Sequence, residues 1–256
     1  ALEGLLQSLV GRMGAKLEIR RFERLSGLTV EEQPVRSLGA LKAGDCVVSF
    51  SRDSIYRNKH AIEQSTGLPC AGVYGSLPLE TRTAQATAFN AQNRPILVAT
   101  DAIGMGLNLN IRRVVFTDMA KFDGNRKAPL PLPLVKQIAG RAGRFRSLFP
   151  DGLVTTMSGS DLGRLRAAME APNPGYRAAG ILPPDHLFSR GLQSLDLMGL
   201  LRSLQDAESD SLHFVADVSG LIETADLIKN IAIDNPMDIY RLSKAPVRHQ
   251  SRACQR

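Results

Sequence analysis

Two arginines lie three residues apart in the segment Gln137–Arg144, which reads QIAGRAGR, and each is directly preceded by a glycine. A guanidinium is a planar fork of N–H donors that fits phosphate oxygens, and glycine lets the backbone come close to a ligand. If the segment is helical, Arg141 and Arg144 share one face and Gln137 lies one turn earlier. The pattern predicts a polyphosphate-binding site. A solvated basic helix end, where arginines meet the C-terminal helix dipole, stays open as the alternative at this point.

Three further polar segments each follow a short apolar run, and they are Phe50–Arg52, Tyr74–Pro78 and Ala99–Leu109. Each of them alone is explained about as well by ordinary capping or turn chemistry. Their common position after an apolar run gives them more weight together, because ligands bind at the carboxyl ends of strands in open α/β sheets. We therefore expect these segments and the two arginines to serve one binding site.

The elements that must position these residues alternate between short apolar strands and helices. The predicted strands are Cys46–Phe50, Cys70–Tyr74, Ile96–Thr100, Val114–Thr117 and Gly152–Thr156. The predicted helices between and after them are Ile55–Ser65, Leu79–Phe89, Leu134–Arg144 and Leu162–Glu170. Such alternation predicts an α/β fold with a parallel sheet and helices on both faces. After Asp161 the pattern favours a small, mainly helical domain.

Composition sets broad limits on function. The 256 residues carry a net charge of +7, which modestly favours a polyanionic partner, and the absence of Trp with only 4 Tyr argues against an aromatic stacking platform. The cysteines Cys46, Cys70 and Cys254 show no paired spacing, so we expect neither a disulfide framework nor a zinc site. No apolar run approaches the ~18 residues of a membrane span, and we expect no membrane partner.

At the level of motifs, Phe50–Arg52, Tyr74–Pro78, Ala99–Leu109 and Gln137–Arg144 together resemble motifs four to six of superfamily-2 helicases. The run Thr100–Leu109 is most similar to mitochondrial degradosome RNA helicases of the Suv-three type. The resemblance extends to the sequences Gly44-Asp45-Cys46, Val154-Thr155-Thr156-Met157 and Arg177-Ala178-Ala179-Gly180. It implies that residues 41–160 form the second RecA-like domain, 1–40 an interdomain connection and 161–256 the start of a helical C-terminal extension.

The resemblance also implies roles for individual residues. Arg144 would be the arginine finger that reaches the γ-phosphate, with Arg141 beside it. Gln137, Gly106 and Asn108 would face the nucleotide. The residues that would contact the RNA backbone are Ser51, Gly75 and Thr100.

The chain departs from the helicase pattern in one respect, because it contains no GxxxxGK[ST] phosphate-binding loop. In the family that loop and the residues that hold Mg²⁺ lie on the first RecA-like domain. We therefore expect the chain to be a fragment, with ATP and Mg²⁺ held mainly by a domain preceding residue 1. Alone, it should hydrolyse ATP negligibly.

These expectations combine into one functional hypothesis. The chain would be the C-terminal motor half of an ATP-dependent RNA helicase that unwinds RNA for mitochondrial RNA degradation. RNA and an exoribonuclease of the mitochondrial degradosome would be its partners, and the mitochondrion its location, although the chain carries no targeting segment. A catalytically inactive RNA-binding or scaffold module that keeps the fold is the competing hypothesis.

Overall fold

The computed structural model describes residues 2–104, 106–122, 126–175, 178–181, 185, 189, 196–206, 213–215, 217–231, 233 and 235–245. Met105, Arg177 and Cys254 lie outside the described residues. The chain divides into two compact units, Arg20–Pro174 on the one hand and Ala1–Ile19 with Gly175–Arg256 on the other. The domain limits expected from the sequence stay predictions.

The elements are numbered here in chain order. The strands are β1 (Leu28–Val30), β2 (Asp45–Val48), β3 (Cys70–Val73), β4 (Ile96–Ala99), β5 (Arg113–Phe116), β6 (Ala120–Phe122), β7 (Lys127–Pro129), β8 (Gly152–Thr156), β9 (Ala179–Ile181) and β10 (His213–Val215). The helices are α1 (Leu2–Arg12), α2 (Arg52–Thr66), α3 (Leu79–Asn90), α4 (Leu132–Ala139), α5 (Gly159–Glu170), α6 (Leu197–Gln205), α7 (Ser219–Ile228) and α8 (Pro236–Ser243).

The larger unit is built on a six-stranded parallel sheet in the order β1-β8-β5-β2-β4-β3. The chain moves outward from β2 to the edge strand β3 and then turns back through β4, β5 and β8. Since crossovers between parallel strands are right-handed, this reversal puts the later helices on the opposite face from α2. The buried residues agree, because α3, α4 and α5 pack against one face and α2 against the other. The predicted RecA-like α/β fold is confirmed.

Alternation along the strands separates the two hydrophobic cores. In β2, Cys46 and Val48 belong to the core under α3, α4 and α5, whereas Val47 belongs to the core under α2. All three side chains are fully buried, as expected for strands covered on both faces. Cys70 is also buried, so the two described cysteines are core residues, and burial raises the pKa of the Cys70 thiol to about 12.

The structure corrects the sequence predictions at three places. The predicted helix Leu134–Arg144 ends at Ala139, so both arginines lie in the turn that follows it. The segment Leu28–Val30, in which we predicted no strand, is an edge strand that pairs with β8. The antiparallel hairpin of β6 and β7 lies between β5 and α4, where we predicted neither a strand nor a helix.

The smaller unit is mainly helical, as predicted, and it contains a two-stranded parallel pairing of β9 with β10. Its core joins α6, α7 and α8, with Leu197, Leu201, Ala225 and Tyr240 buried. No helix in the described part of the chain is long and apolar enough to cross a membrane.

Candidate functional site

The three residues predicted to contact RNA lie at one edge of the sheet. Ser51, Gly75 and Thr100 follow the carboxyl ends of β2, β3 and β4, which are neighbours in the order β2-β4-β3. Ser51 and Gly75 are exposed and Thr100 is partly exposed. The sheet therefore collects polar groups from three separate segments on its carboxyl edge, where ligands bind in open α/β folds.

Local hydrogen bonds hold two of these loops together. Ser51 caps α2, because its Oγ accepts a hydrogen bond of 3.1 Å from the Ser54 N–H. The next residue, Arg52, donates from Nη2 to Ser76 Oγ at 3.0 Å, and its guanidinium carbon lies 5.7 Å from the centre of the Tyr74 ring. Arg52 thus links the loop after β2 to the loop after β3 and leaves a positive charge at the edge.

Thr100 begins the turn that leads from β4 into the glycine-rich loop. Its N–H donates to the Val73 carbonyl at 3.0 Å, and its Oγ1 accepts from the Ala102 N–H at 3.2 Å. The hydroxyl is therefore engaged in turn formation, while the residue stays partly exposed beside the other two loops.

The arginine-bearing loop, residues 140–144, leaves α4 in a sharp turn. Ala142 forms an isolated parallel bridge with Ile111, and the Gly143 N–H donates to the Ile111 carbonyl at 2.8 Å. Gly143 has a φ of +67°, and a Cβ there would overlap the backbone of Gly152. Glycine is required because the loop packs directly on the start of β8 in a left-handed conformation. These contacts end the helix before the arginines.

Arg141 and Arg144 nevertheless line the same groove. Its volume is 330 Å³, and its lining residues are Leu107, Asn108, Leu109, Gly140, Arg141, Gly143 and Arg144. The Arg144 side chain is exposed and makes no hydrogen bond or ion pair with the residues that the structure describes. Two guanidiniums and an amide therefore face a space whose lining has no carboxylate, which is an arrangement that suits an anion.

Arg141 and Gln137 converge on one backbone carbonyl. Arg141 Nη2 donates to the Gly104 carbonyl, and Gln137 Nε2 donates to the same oxygen at 3.2 Å. Burial lowers the pKa of Arg141, but an arginine remains charged at any physiological pH. Arg141 thus connects the arginine-bearing loop to the glycine-rich loop after β4, and Gln137 lies at the junction rather than in the groove lining.

Gly106 lies two residues before Asn108 and is exposed, with a φ of +76°. Nothing lies within 4 Å of the place where a Cβ would be, so its glycine character serves the backbone turn and leaves open space in front of it. Asn108 is fixed through its carbonyl, which accepts from the Asn90 side chain at 2.8 Å, so its own side chain is left at the groove.

The described residues do not offer a metal site, because no group of three or more His, Cys, Asp or Glu side chains lies together among them.

Two features near these loops were missed by sequence reasoning. The hairpin residues Lys121, Phe122 and Lys127 line a groove of 460 Å³ together with Ser51, and the sequence Asp123-Gly124 is a hairpin signal that could have predicted it. The other feature is Arg24, whose guanidinium donates to carbonyls of the arginine-bearing loop. A contact with backbone carbonyls leaves no sequence pattern.

Comparison with known proteins adds independent information. Residues 35–146 match the family model described as the helicase conserved C-terminal domain. The chain is 41% identical over 91% of its length to the mitochondrial DExH-box ATP-dependent RNA helicase DExH16 of Arabidopsis thaliana, covering 42% of that protein. It is 38% identical over 95% of its length to the mitochondrial ATP-dependent RNA helicase SUV3 of Saccharomyces cerevisiae, covering 35% of it. For the human mitochondrial ATP-dependent RNA helicase SUPV3L1 the identity is 40% over 90% of the chain and 30% of the relative. The chain thus spans well under half of the length of these relatives.

Proposed function

We propose that this chain is the second motor domain and the start of the helical extension of an ATP-dependent RNA helicase. The proposal proceeds from the match of residues 35–146 to the helicase conserved C-terminal domain. The proposed limits are residues 41–160 for the motor domain, 161–256 for the extension and 1–40 for the connection to another motor domain. The parallel sheet and the similarity over most of the chain support this assignment.

In this proposal Arg144 reaches the γ-phosphate of an ATP molecule held by the other motor domain. The observation that carries the proposal is the exposed Arg144 side chain, which bonds none of the described residues, at a groove that also has Arg141 and Asn108 in its lining. An arginine that meets the charge developing on a transferred phosphoryl group can be worth roughly 10³–10⁵ in rate. Such an arginine must be free to move onto the phosphate, and the environment of Arg144 meets this requirement.

The other nucleotide-facing residues support Arg144. Arg141 supplies a second positive charge and joins the two loops through the Gly104 carbonyl. Gln137 bonds the same carbonyl, so we assign it to the junction next to the nucleotide. Gly106 allows close backbone approach, and the Asn108 amide is suited to hydrogen bonds with ribose or phosphate oxygens.

Ser51, Gly75 and Thr100 bind the RNA backbone in this proposal. Hydroxyl groups and backbone N–H groups at a sheet edge contact phosphates without reading bases, so binding would be tolerant of sequence. The open carboxyl edge formed by β2, β3 and β4 supports this role. Cleft closure around ATP would then move this edge relative to the other motor domain and thereby move RNA.

We assign Mg²⁺ and most of the ATP contacts to the other motor domain, since these 256 residues contain no GxxxxGK[ST] phosphate-binding loop. When bound, Mg²⁺ neutralises charge on the β- and γ-phosphates. By analogy with relatives whose names place them in mitochondria, we propose that the helicase acts in mitochondrial RNA degradation with an exoribonuclease partner.

The test replaces Arg144 by Ala in the full-length helicase that contains this chain. RNA-stimulated ATP hydrolysis should fall by roughly 10³-fold or more, while RNA affinity without nucleotide stays unchanged. Arg146→Ala is the matched control, because Arg146 is an exposed arginine two residues away that stacks on Phe145 at 5.2 Å and is not part of the groove lining. Unchanged turnover in Arg144→Ala would refute the arginine-finger assignment.

A catalytically inactive RNA-binding or scaffold module is the second candidate, and it accounts equally well for the lack of a GxxxxGK[ST] loop in these 256 residues. The same experiment separates the two. If the wild-type full-length protein binds RNA but shows no RNA-stimulated ATPase, the scaffold function is correct and the motor proposal fails.

A further inference from the structure

Arg24 lies outside all the motifs and yet donates four hydrogen bonds to backbone carbonyls. Its Nη1 bonds the Gly140 carbonyl at 2.8 Å, and its Nη2 bonds the carbonyls of Ala142 and Gly143, the latter at 2.9 Å. Its Nε bonds the carbonyl of Ser26 in its own segment at 2.8 Å. Three of the four acceptors thus belong to residues 140–143 of the arginine-bearing loop.

The chemistry of the two partners is complementary. The loop begins at the C-terminal end of α4, where carbonyl oxygens and the helix dipole make the environment negative and a cation is favourable. A guanidinium has five N–H donors in a rigid plane, so one arginine can hold several carbonyls in a fixed arrangement. A lysine ammonium at the same place is a point charge without that fork.

Arg24 is itself held in place by the sheet. Three residues later the Gly27 carbonyl accepts a hydrogen bond of 3.0 Å from the Gly152 N–H, and β1 then pairs with β8 from Leu28 onward. Gly143 packs on Gly152 from the other side, so a Cβ on either glycine would overlap the other loop. The segment that contains Arg24 and the arginine-bearing loop therefore both contact the start of β8, which fixes their positions relative to each other.

We infer that Arg24 is a positioning residue for ATP hydrolysis, which holds the loop so that the Arg141 and Arg144 side chains reach the nucleotide. This inference rests on the proposed function. Arg24 is not part of the groove lining and touches none of the arginine side chains in the described contacts, so it acts through the loop backbone alone. A displacement of a catalytic group by about 1 Å can cost roughly 10²-fold in rate. Losing the hydrogen bonds from Arg24 to the loop should therefore lower kcat strongly.

The test compares three variants of the full-length helicase. Arg24→Gln removes the charge and the fork, and Arg24→Lys keeps the charge alone. Arg166→Gln is the matched control, because Arg166 also donates to two backbone carbonyls, those of Glu31 and Glu32, at 3.2 and 2.9 Å, but has no bond to the arginine-bearing loop.

Two readouts are measured on each variant. Hydrogen exchange of a peptide covering residues 140–148 reports on the loop, in which the amides of Gly143 and Arg144 donate at 2.8 and 2.9 Å. We expect faster exchange there in Arg24→Gln, with unchanged exchange in β2 and β5. Steady-state kinetics should show kcat for RNA-stimulated ATPase lowered by roughly 10- to 100-fold, with a smaller change in KM for ATP. Arg24→Lys should recover part of kcat, and Arg166→Gln should match the wild type.

The outcomes are distinguishable. Faster loop exchange with lowered kcat and unchanged RNA affinity supports the inference. Unchanged kcat in Arg24→Gln overturns it, and so does an equal loss of kcat in Arg166→Gln, since the effect would then be a general loss of stability. If the wild-type protein has no ATPase, the proposed function fails and the catalytic role of Arg24 with it, while the exchange result still reports on the loop contact.

Discussion

The guanidinium groups of Arg141 and Arg144 differ in what they bond, although both line the same groove. Arg141 donates to the Gly104 carbonyl and so holds two loops together. The Arg144 side chain is exposed and bonds no described residue, so of the two guanidiniums only this one can move onto a ligand without breaking an existing bond. The difference supports the proposal that Arg144 reaches the phosphoryl group while Arg141 also holds the groove together. It also makes Arg144→Ala the sharper test of function.

Glu63 gives a prediction about pH at the same scale. Burial raises the pKa of Glu63, but bonds from Lys59 and from the Cys70 N–H, the latter at 2.9 Å, more than offset this and hold the pKa below its ordinary value of 4.5. A carboxyl with a lowered pKa stabilises the folded state above its ordinary pKa, and that stability is lost as pH falls through the folded value.

We therefore expect Glu63→Gln to be less stable than wild type at pH 7, with the gap closing as pH falls below about 4.5. Urea denaturation at a series of pH values measures this. Glu32→Gln is the control, because Glu32 is exposed and its side chain has no bonded partner among the described residues. A gap that stayed constant down to pH 2 would contradict the assignment.

At the scale of elements, the arginine-bearing loop depends on a glycine where α4 stops. Gly143 combines a left-handed φ of +67° with direct backbone packing on Gly152. Gly106 has a similar φ of +76° but open space around it. Replacing each glycine by alanine therefore distinguishes two contributions to the free energy of unfolding. Gly106 tests the unusual φ alone, and Gly143 tests the same φ together with a steric overlap.

We expect Gly106→Ala to cost about 1–2 kcal/mol of unfolding free energy, as a non-glycine residue in the left-handed region does. Gly143→Ala should cost clearly more, since β8 or the loop must also shift. Chemical denaturation of both variants in parallel measures the difference. Equal losses would mean that the packing of Gly143 on Gly152 does not constrain the loop.

The hairpin of β6 and β7 is tied to the sheet edge by ion pairs. Lys121 bonds Asp101 in the turn after β4 at 3.2 Å, and Lys127 bonds Asp118 after β5. The hairpin thus forms one wall of the groove that also contains Ser51. Its position next to a proposed RNA contact follows from the strand order and not from any motif.

At the scale of the whole molecule, net charge and sheet topology act together. The chain carries +7, and its carboxyl edge gathers loops from three adjacent strands. Ser51, Gly75 and Thr100 are neutral, so the RNA contacts proposed for them would release no counterions. The electrostatic part of the proposed RNA binding would then come from cations near this edge, and Arg52 lies directly beside Ser51.

We expect affinity for single-stranded RNA to fall as salt rises from ~50 to 200 mM, with little dependence on sequence. Arg52→Gln should reduce the slope of log K against log salt by about 0.7, the value for one phosphate contact on a single strand. Lys42→Gln is the control, because Lys42 is exposed and precedes β2, at the opposite edge of the sheet. Fluorescence anisotropy with labelled RNAs of different sequence measures both. An RNA affinity that did not change with salt concentration would contradict the proposal that cations at this edge bind phosphates.

Much of the fold was predictable because individual strands and helices have characteristic local patterns of apolar residues. Runs such as Ile96–Thr100 and Gly152–Thr156 identified strands, and the structure confirms both, ending the first at Ala99. The end of α4 next to Gly140 agrees with a sequence signal that we did not use, since glycine is typical of helix ends. The bridge between Ala142 and Ile111 was not predictable, because these residues are far apart in sequence.

The sequence by itself determined the alternation of strands and helices, the motif order and the residue types at the strand ends. Only the tertiary structure decided which strand ends are neighbours and that Arg24 reaches a loop 116 residues away. It also decided that the Arg141 guanidinium is bonded, whereas that of Arg144 bonds no residue in the described part of the chain. The physical reason is that side-chain chemistry is encoded locally, whereas strand order and contacts with backbone carbonyls arise only when the chain folds back on itself. Every residue has a carbonyl, so such contacts have no signature in the sequence.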